Sequence, residues 1–174
     1  MTVAQKNKAS MLRQLNNFLL EELGKGNNVI LVIDEAQNLK TSMLEEIRML
    51  SNLETDKEKL FQIILVGQPE LKSKLESPSL RQLKQRIAVR FHIPPLDRSE
   101  VPQYIYHRLK VAGSTGEIVF TGDAIDRIYQ FSGGIPRLIN IVCDKTLLAA
   151  YVMESREIGL AVVDRSVKEI EGVL

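Results

Sequence analysis

The residues best suited to chemistry are two adjacent carboxylates, Asp34 and Glu35, which follow an unbroken aliphatic run at residues 29–33. A short apolar run without alternation predicts a strand of a parallel sheet that is buried on both faces. Open α/β sheets bind ligands at the carboxyl ends of such strands. In phosphoryl-transfer sites the first carboxylate holds Mg²⁺, usually through water, and the second is the general base for the attacking water. The alternative is a solvated pair that caps the next helix.

A polar amide ends the next apolar run, residues 61–66, which is followed by Gly67, Gln68 and Pro69. Pro69 excludes continuation as a central strand because proline lacks a backbone N–H. We expect Gln68 to lie beside Glu35, since both follow buried strands of the same sheet. From there its amide would orient a water against a γ-phosphate. Taken alone, a turn residue that satisfies backbone groups is the simpler interpretation.

Two arginines stand where they could deliver positive charge to a phosphate. Arg86 ends a predicted helix at residues 80–86, before a third strand that alternation predicts at residues 87–93. An exposed arginine there would reach a neighbouring subunit's γ-phosphate, or else belong to a solvated basic face. Arg137 follows Pro136 at a helix N-terminus, where the helix dipole disfavours a cation. An anion between the two, such as a phosphate, would account for its position.

The other elements are predicted from helical periodicity and capping residues. Ser10 is expected to cap the first helix. The second begins at Thr41 or Ser42, with four inward residues: Met43, Leu44, Ile47 and Leu50. After Pro95 only helices are predicted, the first capped by Ser99 and the later ones beginning near residues 121, 136 and 160. The pattern divides the chain into an α/β part, residues 1–96, and an all-helical part, residues 97–174.

Composition narrows the class of protein without giving a function. The 174 residues carry 23 Lys and Arg against 22 Asp and Glu, and the net charge of +1 disfavours nucleic-acid binding driven by bulk charge. The single cysteine, Cys143, excludes an intrachain disulfide, fits a reducing cytoplasm and is predicted to lie in the core. His92 and His107 show no metal-ligand spacing. No apolar run approaches the about 20 residues that span a bilayer, and we expect no secretory signal at the N-terminus.

In order and spacing the motifs resemble those of AAA+ ATPases, most closely the type II (general) secretion pathway ATPases of the ExeA/GspA type. The resembling stretches are VIDEAQNL, EEIRMLSNLETDKEKLFQIILVGQPEL, LRQLKQRI and SGGIPRLINIVCDKTLLAAY, and the resemblance covers about residue 10 to the end. It implies a P-loop NTPase type of fold: a partial AAA+ parallel-sheet core followed by an all-α lid subdomain. It also implies ATP and Mg²⁺ as ligands, a homo-oligomer, and a secretion-machinery or membrane-associated protein as partner.

The resemblance implies roles for six residues around a nucleotide. Three would act in hydrolysis: Glu35 as the catalytic glutamate, Gln68 as sensor 1, and Arg86 as an arginine finger acting in trans. Three would bind the nucleotide and its metal: Asp34 as the Walker B residue on Mg²⁺ through water, Arg137 as sensor 2, and Tyr104 at the adenine.

One departure from the family pattern is large. The sequence contains no G-x-x-x-x-G-K-[ST] pattern, the P-loop that holds the β- and γ-phosphates. We therefore expect these residues to be the C-terminal portion of an ATPase module that binds ATP weakly or not at all by itself. In the family sheet, the P-loop strand lies between the strand ending at Gly67 and the strand predicted at residues 87–93. We expect these two to pair directly, to gain a substitute strand, or to pair between molecules.

Two other functions remain open at this point. One is a DNA-transaction AAA+ module of the transposition-helper or origin-recognition type, which shares the lid and sensors but is disfavoured by the net charge. The other is a non-catalytic oligomerisation module with vestigial carboxylates. The resemblance implies a cytoplasmic protein and leaves open an anchor at the inner membrane.

Overall fold

The computed structural model describes residues 7–54 and 59–172 of the chain. It divides between Phe91 and His92 into two compact units. We call residues 7–91 the sheet unit and residues 92–172 the helical unit. None of the helices in the described ranges has both the length and the apolar character needed to cross a membrane.

The sheet unit has two strands and four α-helices in its described residues. In chain order they are α1 (Lys8–Gly24), β1 (Val29–Ile33), α2 (Thr41–Leu50), β2 (Phe61–Leu65), α3 (Pro69–Leu75) and α4 (Arg81–Arg86). The first two predicted strands are present. α1 begins before Ser10, because the Asn7 side chain caps it by accepting a 3.3 Å hydrogen bond from the Ala9 N–H. α3 was not predicted; Pro69 starts it at a position where a missing N–H costs little.

β1 and β2 form a parallel pair with one face on a layer of helices. Their register runs from Val29 opposite Phe61 to Ile33 opposite Leu65, so both strands end at the same edge. Ile33 and Leu65 pack on a buried cluster that includes residues of α2 and α4. At the other end, Val29 and Phe61 belong to a cluster around the fully buried Leu19 of α1. The packing of Ile33 and Leu65 on the first cluster therefore supports the edge at which both strands end.

The opposite face of the pair is bare in the described residues. Ile30, Val32 and Ile64 each expose about half of their surface. The prediction that β1 is buried on both faces is therefore wrong. Burial of the second face needs a second layer of helices, which the described residues do not supply. Met43, predicted to point inward, is also half exposed, because other residues of α2 fill the inward positions.

The third predicted strand, residues 87–93, does not form. The segment is irregular, and Val89 and Phe91 are 82% and 85% exposed. Alternation gives a segment two faces, but a strand also needs a neighbour to complete its hydrogen-bond ladder. Within the described residues β2 pairs only with β1, so neither direct pairing nor a substitute strand occurs. Both of these expectations are wrong, whereas pairing between molecules stays a prediction.

The helical unit has four α-helices and one short strand pair in its described residues. They are α5 (Glu100–Val111), β3 (Val119–Phe120), α6 (Gly122–Ser132), α7 (Pro136–Val152), β4 (Glu157–Ile158) and α8 (Leu160–Glu171). The prediction of helices only is wrong at β3 and β4, which pair in parallel. Strands of two residues are too short to show a period in the sequence. Their Phe120 and Ile158 are buried in one core with α5 to α8.

The start of α5 differs in detail from its prediction. Ser99 occupies the N-cap position, but its side chain makes no capping hydrogen bond. Asp97 does this instead, because its Oδ1 accepts from the N–H groups of Ser99 at 2.8 Å and Glu100 at 3.0 Å. The hydrogen bond from the Ser99 hydroxyl, followed by that from the Glu100 N–H, lowers the pKa of Asp97. The carboxylate therefore stabilises the first turn while it is ionised.

Candidate functional site

The carboxylate turn, residues 34–38, begins where β1 ends. Glu35 has a left-handed backbone, with φ 51° and ψ 36°. Two hydrogen bonds hold it there: Asp34 Oδ1 accepts from the Glu35 N–H at 2.7 Å, and the Ala36 N–H donates to the Val66 carbonyl at 2.9 Å. The turn is thus tied to the residue that follows β2. The carboxylates do not cap α2, whose N-cap position is Lys40.

The side chain of Gln37 links the carboxylate turn to the residues after β2. Its Nε2 donates to Glu35 Oε2 at 2.6 Å, and its Oε1 accepts from the Gln68 N–H at 3.2 Å. Gln68 lies close enough for its own Nε2 to reach the same Glu35 oxygen at 3.5 Å. The expected neighbourhood of Gln68 and Glu35 is therefore present. Two amides converge on one oxygen of an exposed carboxylate.

The lack of a side chain at Gly67 makes room for this close approach. A Cβ at this position would lie 2.6 Å from Gln37 Oε1 and 3.1 Å from Leu71 Cδ2, so any larger residue would displace one of them. A residue of α3 also holds the backbone of the carboxylate turn. Lys74 Nζ donates to the carbonyl oxygens of Gln37 at 2.6 Å and Leu39 at 2.7 Å. The turn therefore has a fixed backbone as well as a linked side chain.

Gln37 and Lys74 were not singled out in the sequence. Gln37 lies inside the VIDEAQNL stretch, two residues after Glu35. Nothing in that spacing predicts which group its side chain would bond. Lys74 lies on α3, the helix that was not predicted. The pairing of the two strands brings the Gln68 N–H to the Gln37 side chain and Lys74 to the backbone of the carboxylate turn.

Asp34 has the donor chemistry to hold a magnesium ion through water. Its carboxylate is exposed, and the Glu35 N–H occupies only Oδ1. Mg²⁺ typically keeps several waters and takes one or two carboxylates together with substrate phosphates. The described ranges contain no group of three or more His, Cys, Asp and Glu residues that could hold a metal ion. The exposed Asp34 carboxylate fits an Mg²⁺ ion that is also held by a phosphate ligand.

Arg86 lies at the C-terminal end of α4, where a cation is favoured by the helix dipole. It is exposed, and its Nη1 lies 3.5 Å from Ser51 Oγ, the limit of a hydrogen bond. The guanidinium is therefore held loosely at the surface of the sheet unit. Arg90, farther along the chain, donates to the Lys84 carbonyl at 3.1 Å.

The remaining two candidate residues, Tyr104 and Arg137, both belong to the helical unit. Arg137 is exposed in the first turn of α7. Asn140, one turn later, accepts a 3.0 Å hydrogen bond from the Tyr104 hydroxyl of α5. Gly134, two residues before α7, lies so close to Leu96 that a Cβ there would be 1.9 Å from the Leu96 carbonyl oxygen. Tyr104 therefore contacts α7 one turn after Arg137.

Cys143 is excluded as a nucleophile. It is buried in the core of the helical unit. Burial, with a smaller contribution from the charge of Asp144, raises the pKa of its thiol to about 12. A thiol of this kind stays protonated at neutral pH and is inert.

Comparisons with known proteins place these observations in a family context. A family model described as an AAA domain matches residues 2–75. General secretion pathway protein A of Aeromonas hydrophila is 43% identical over 159 residues, which is 91% of this chain and 29% of that protein. The chain therefore spans less than a third of the length of this relative.

Solved structures with a similar fold have much lower sequence identity. The Aeropyrum pernix ORC2 protein in its ADPNP–ADP complexes has a TM-score of 0.68 at 15% identity, covering 97% of this chain and 46% of that one. A mutant of Thermotoga maritima RuvB has a TM-score of 0.62 at 16% identity, covering 89% of this chain and 49% of that one. At such identities the likeness shows the fold alone.

Proposed function

Because this chain belongs to the AAA+ ATPases related to general secretion pathway protein A and has the fold of P-loop AAA+ proteins, we propose that its sheet unit supplies the water-activating half of an ATP hydrolysis site. The observation that carries the proposal is the arrangement around Glu35. Its carboxylate lies at the edge where both parallel strands end, next to Asp34 and within reach of two amides. That edge is where open parallel sheets bind ligands.

Asp34, Glu35 and Gln68 each have a distinct part in the proposed reaction. Asp34 would hold Mg²⁺ through water, and the ion would supply positive charge against the phosphates. Glu35 accepts a proton from the attacking water, for which its second carboxylate oxygen is available. Gln68 directs its amide to the same region and orients that water. The bonds to Gln37 and Gln68 keep the Glu35 side chain in one position before substrate arrives.

Three further residues have proposed roles towards the nucleotide. Arg86, loosely held at the protein surface, acts in trans on a neighbouring subunit's γ-phosphate, which makes the active form a homo-oligomer. Arg137 brings positive charge to the γ-phosphate as sensor 2, and Tyr104 borders the adenine. In functional terms, residues 1–96 are then a partial nucleotide-binding core and residues 97–174 a lid.

By themselves these residues are proposed to bind ATP weakly or not at all, because the sequence has no P-loop to hold the β- and γ-phosphates. The relationship to general secretion pathway protein A supports secretion machinery or a membrane-associated protein as partner. We propose a cytoplasmic location. The likeness to ORC2 and RuvB concerns the fold and adds no argument for nucleic acid.

Calorimetry and a fusion protein test the proposal. The 174-residue chain is expected to show no micromolar affinity for MgATP. A P-loop fusion, in which a family segment carrying the P-loop precedes residue 1, is expected to bind and hydrolyse MgATP. In that fusion Asp34→Asn should lower kcat by about a hundredfold or more, whereas Asp144→Asn, on the exposed side of α7, should not change it. Equal turnover by the two variants would refute the assignment of Asp34.

A further inference from the structure

Gln37 uses both ends of its amide on two different segments of the sheet unit. The NH₂ group donates to Glu35 Oε2 at 2.6 Å, and the oxygen accepts from the backbone N–H of Gln68 at 3.2 Å. Gln68 belongs to the residues after β2, whereas Glu35 follows β1. A single side chain therefore joins the two strand ends at the proposed site. Neither bond is within an element, so neither is needed to form a helix or a strand.

The surroundings leave this amide little freedom. The absence of a side chain at Gly67 gives Gln37 Oε1 its place, since a Cβ there would lie 2.6 Å from that oxygen. Lys74 fixes the backbone of Gln37 by donating to its carbonyl oxygen at 2.6 Å. The orientation of the amide is also determined by its partners. The Gln68 N–H requires an oxygen, and the Glu35 carboxylate requires an N–H.

We propose that Gln37 is a positioning residue, which couples the place of the Gln68 backbone to the place of the Glu35 carboxylate. This inference rests on the proposed function, because it concerns the base of the same hydrolysis site. When Gln68 moves with a phosphate or a water, the Gln37 oxygen follows its N–H, and the NH₂ group carries the Glu35 oxygen with it. The position of the Glu35 carboxylate thus depends on the neighbouring strand end as well as on its own backbone.

Two substitutions separate the two ends of the amide. Gln37→Ala removes both hydrogen bonds. Gln37→Glu keeps an oxygen for the Gln68 N–H but loses the donor to Glu35 and places a like charge beside it. Asn38→Ala is the matched control, because Asn38 is an exposed amide in the same turn with no side-chain hydrogen bond recorded within the described residues. Thermal melts of each variant show whether the fold is kept.

The first measurement is amide hydrogen exchange of Gln68 by NMR in the 174-residue chain. Gln37→Ala is expected to speed this exchange about tenfold, whereas Gln37→Glu and Asn38→Ala should leave it near the wild-type rate. Unchanged exchange in Gln37→Ala would overturn the proposed link between Gln37 and Gln68. This result does not depend on any ATPase activity.

The second measurement is turnover of MgATP by the P-loop fusion. Both Gln37 variants are expected to lower kcat about ten- to a hundredfold, as for a misplaced catalytic group, with KM for ATP within about twofold. Asn38→Ala should leave both constants unchanged. Wild-type kcat in Gln37→Glu would overturn the positioning role, whatever the exchange data show. A wild-type fusion without hydrolysis would count against the proposed function, and the exchange experiment would still decide the link to Gln68.

Discussion

Glu35 and Glu154 have the same unusual backbone in two different regions of the molecule. Their φ angles are 51° and 54°, and no other non-glycine residue of the described ranges has a positive φ. Glu154 closes the C-terminus of α7, where its N–H donates to Tyr151 O at 3.1 Å and the next N–H, of Ser155, donates to Ala150 O at 3.0 Å. This is the helix end at which glycine is the usual residue.

Glu35 has its left-handed backbone in a turn after a strand, where side chains and the backbone bond from Ala36 to Val66 hold it. Its N–H bonds to Asp34, and its carboxylate accepts from Gln37 and Gln68. At Glu154 the conformation serves the backbone, and the side chain is simply exposed. At Glu35 the conformation places the side chain, as expected where local strain is kept for function. The same backbone angle therefore has structural value in one region and chemical value in the other.

The largest expected effect tests whether Glu35 has a chemical role that Glu154 lacks. In the P-loop fusion, Glu35→Gln should lower kcat by about 10²- to 10⁴-fold, the usual contribution of a general base. Glu154→Gln makes the same chemical change on a similar backbone and should leave kcat unchanged. Steady-state ATPase assays compare the two. Equal rates for both variants would make Glu35 a structural residue like Glu154 and favour a non-catalytic module.

The next effect tests whether the surroundings of Glu35 matter for chemistry. Gly67→Ala would push a Cβ onto the Gln37 oxygen, the movable end of a flexible side chain, and towards Leu71. We expect a stability loss of only about 1 kcal/mol but a kcat about tenfold lower in the fusion. Denaturant melts and ATPase assays measure the two quantities. Gly24→Ala, at a position with open space around it, is the control. Full activity in Gly67→Ala would show that the Gln37 amide need not keep its place.

A smaller effect measures the strain of the left-handed backbone at Glu35 and Glu154. Glu154→Gly should stabilise the chain by about 0.5–1 kcal/mol, because glycine adopts a left-handed backbone without a Cβ clash. Glu35→Gly relieves the same clash but gives up the hydrogen bonds from Gln37 and Gln68, so its gain should be smaller. Urea unfolding of both variants gives the difference. A larger gain at Glu35 would mean that its side-chain bonds add nothing to stability.

The smallest expected effect is on how the stability of the helical unit changes at acid pH. The pKa of Asp97 is lower when folded, because the Ser99 hydroxyl and the Glu100 N–H donate to its carboxylate. Its stabilising contribution is therefore complete above the unfolded value of about 3.9 and is lost as pH falls through the folded value. Asp97→Asn should flatten the fall of Tm between about pH 5 and pH 2, and Asp144→Asn should not. Parallel Tm curves for all three proteins would show that the Asp97 cap adds no acid sensitivity.

The sequence predicted those features that depend on neighbours along the chain. β1, β2 and the start of α8 follow from local composition and spacing. The closeness of Glu35 and Gln68 follows from the rule that parallel strands end at one edge. The failures depend on partners in space. Residues 87–93 alternate like a strand but lack a neighbour, and β1 is apolar on a face that no described layer covers. The Gln37 amide has a partner 31 residues away, which no local pattern reveals.

The register of β1 and β2 also determines which changes in chain length the site tolerates. Ile33 pairs with Leu65, so Glu35 and Gln68 are placed by counting two and three residues beyond the last matched pair. Lengthening the connection before β2 alters only the loop, because the ladder restores the match. One extra residue between Leu65 and Gln68, or a one-residue slip of the ladder, would turn the amide towards the opposite face. Natural length variants should therefore gather before β2, while the stretch from Ile63 to Gln68 keeps its length.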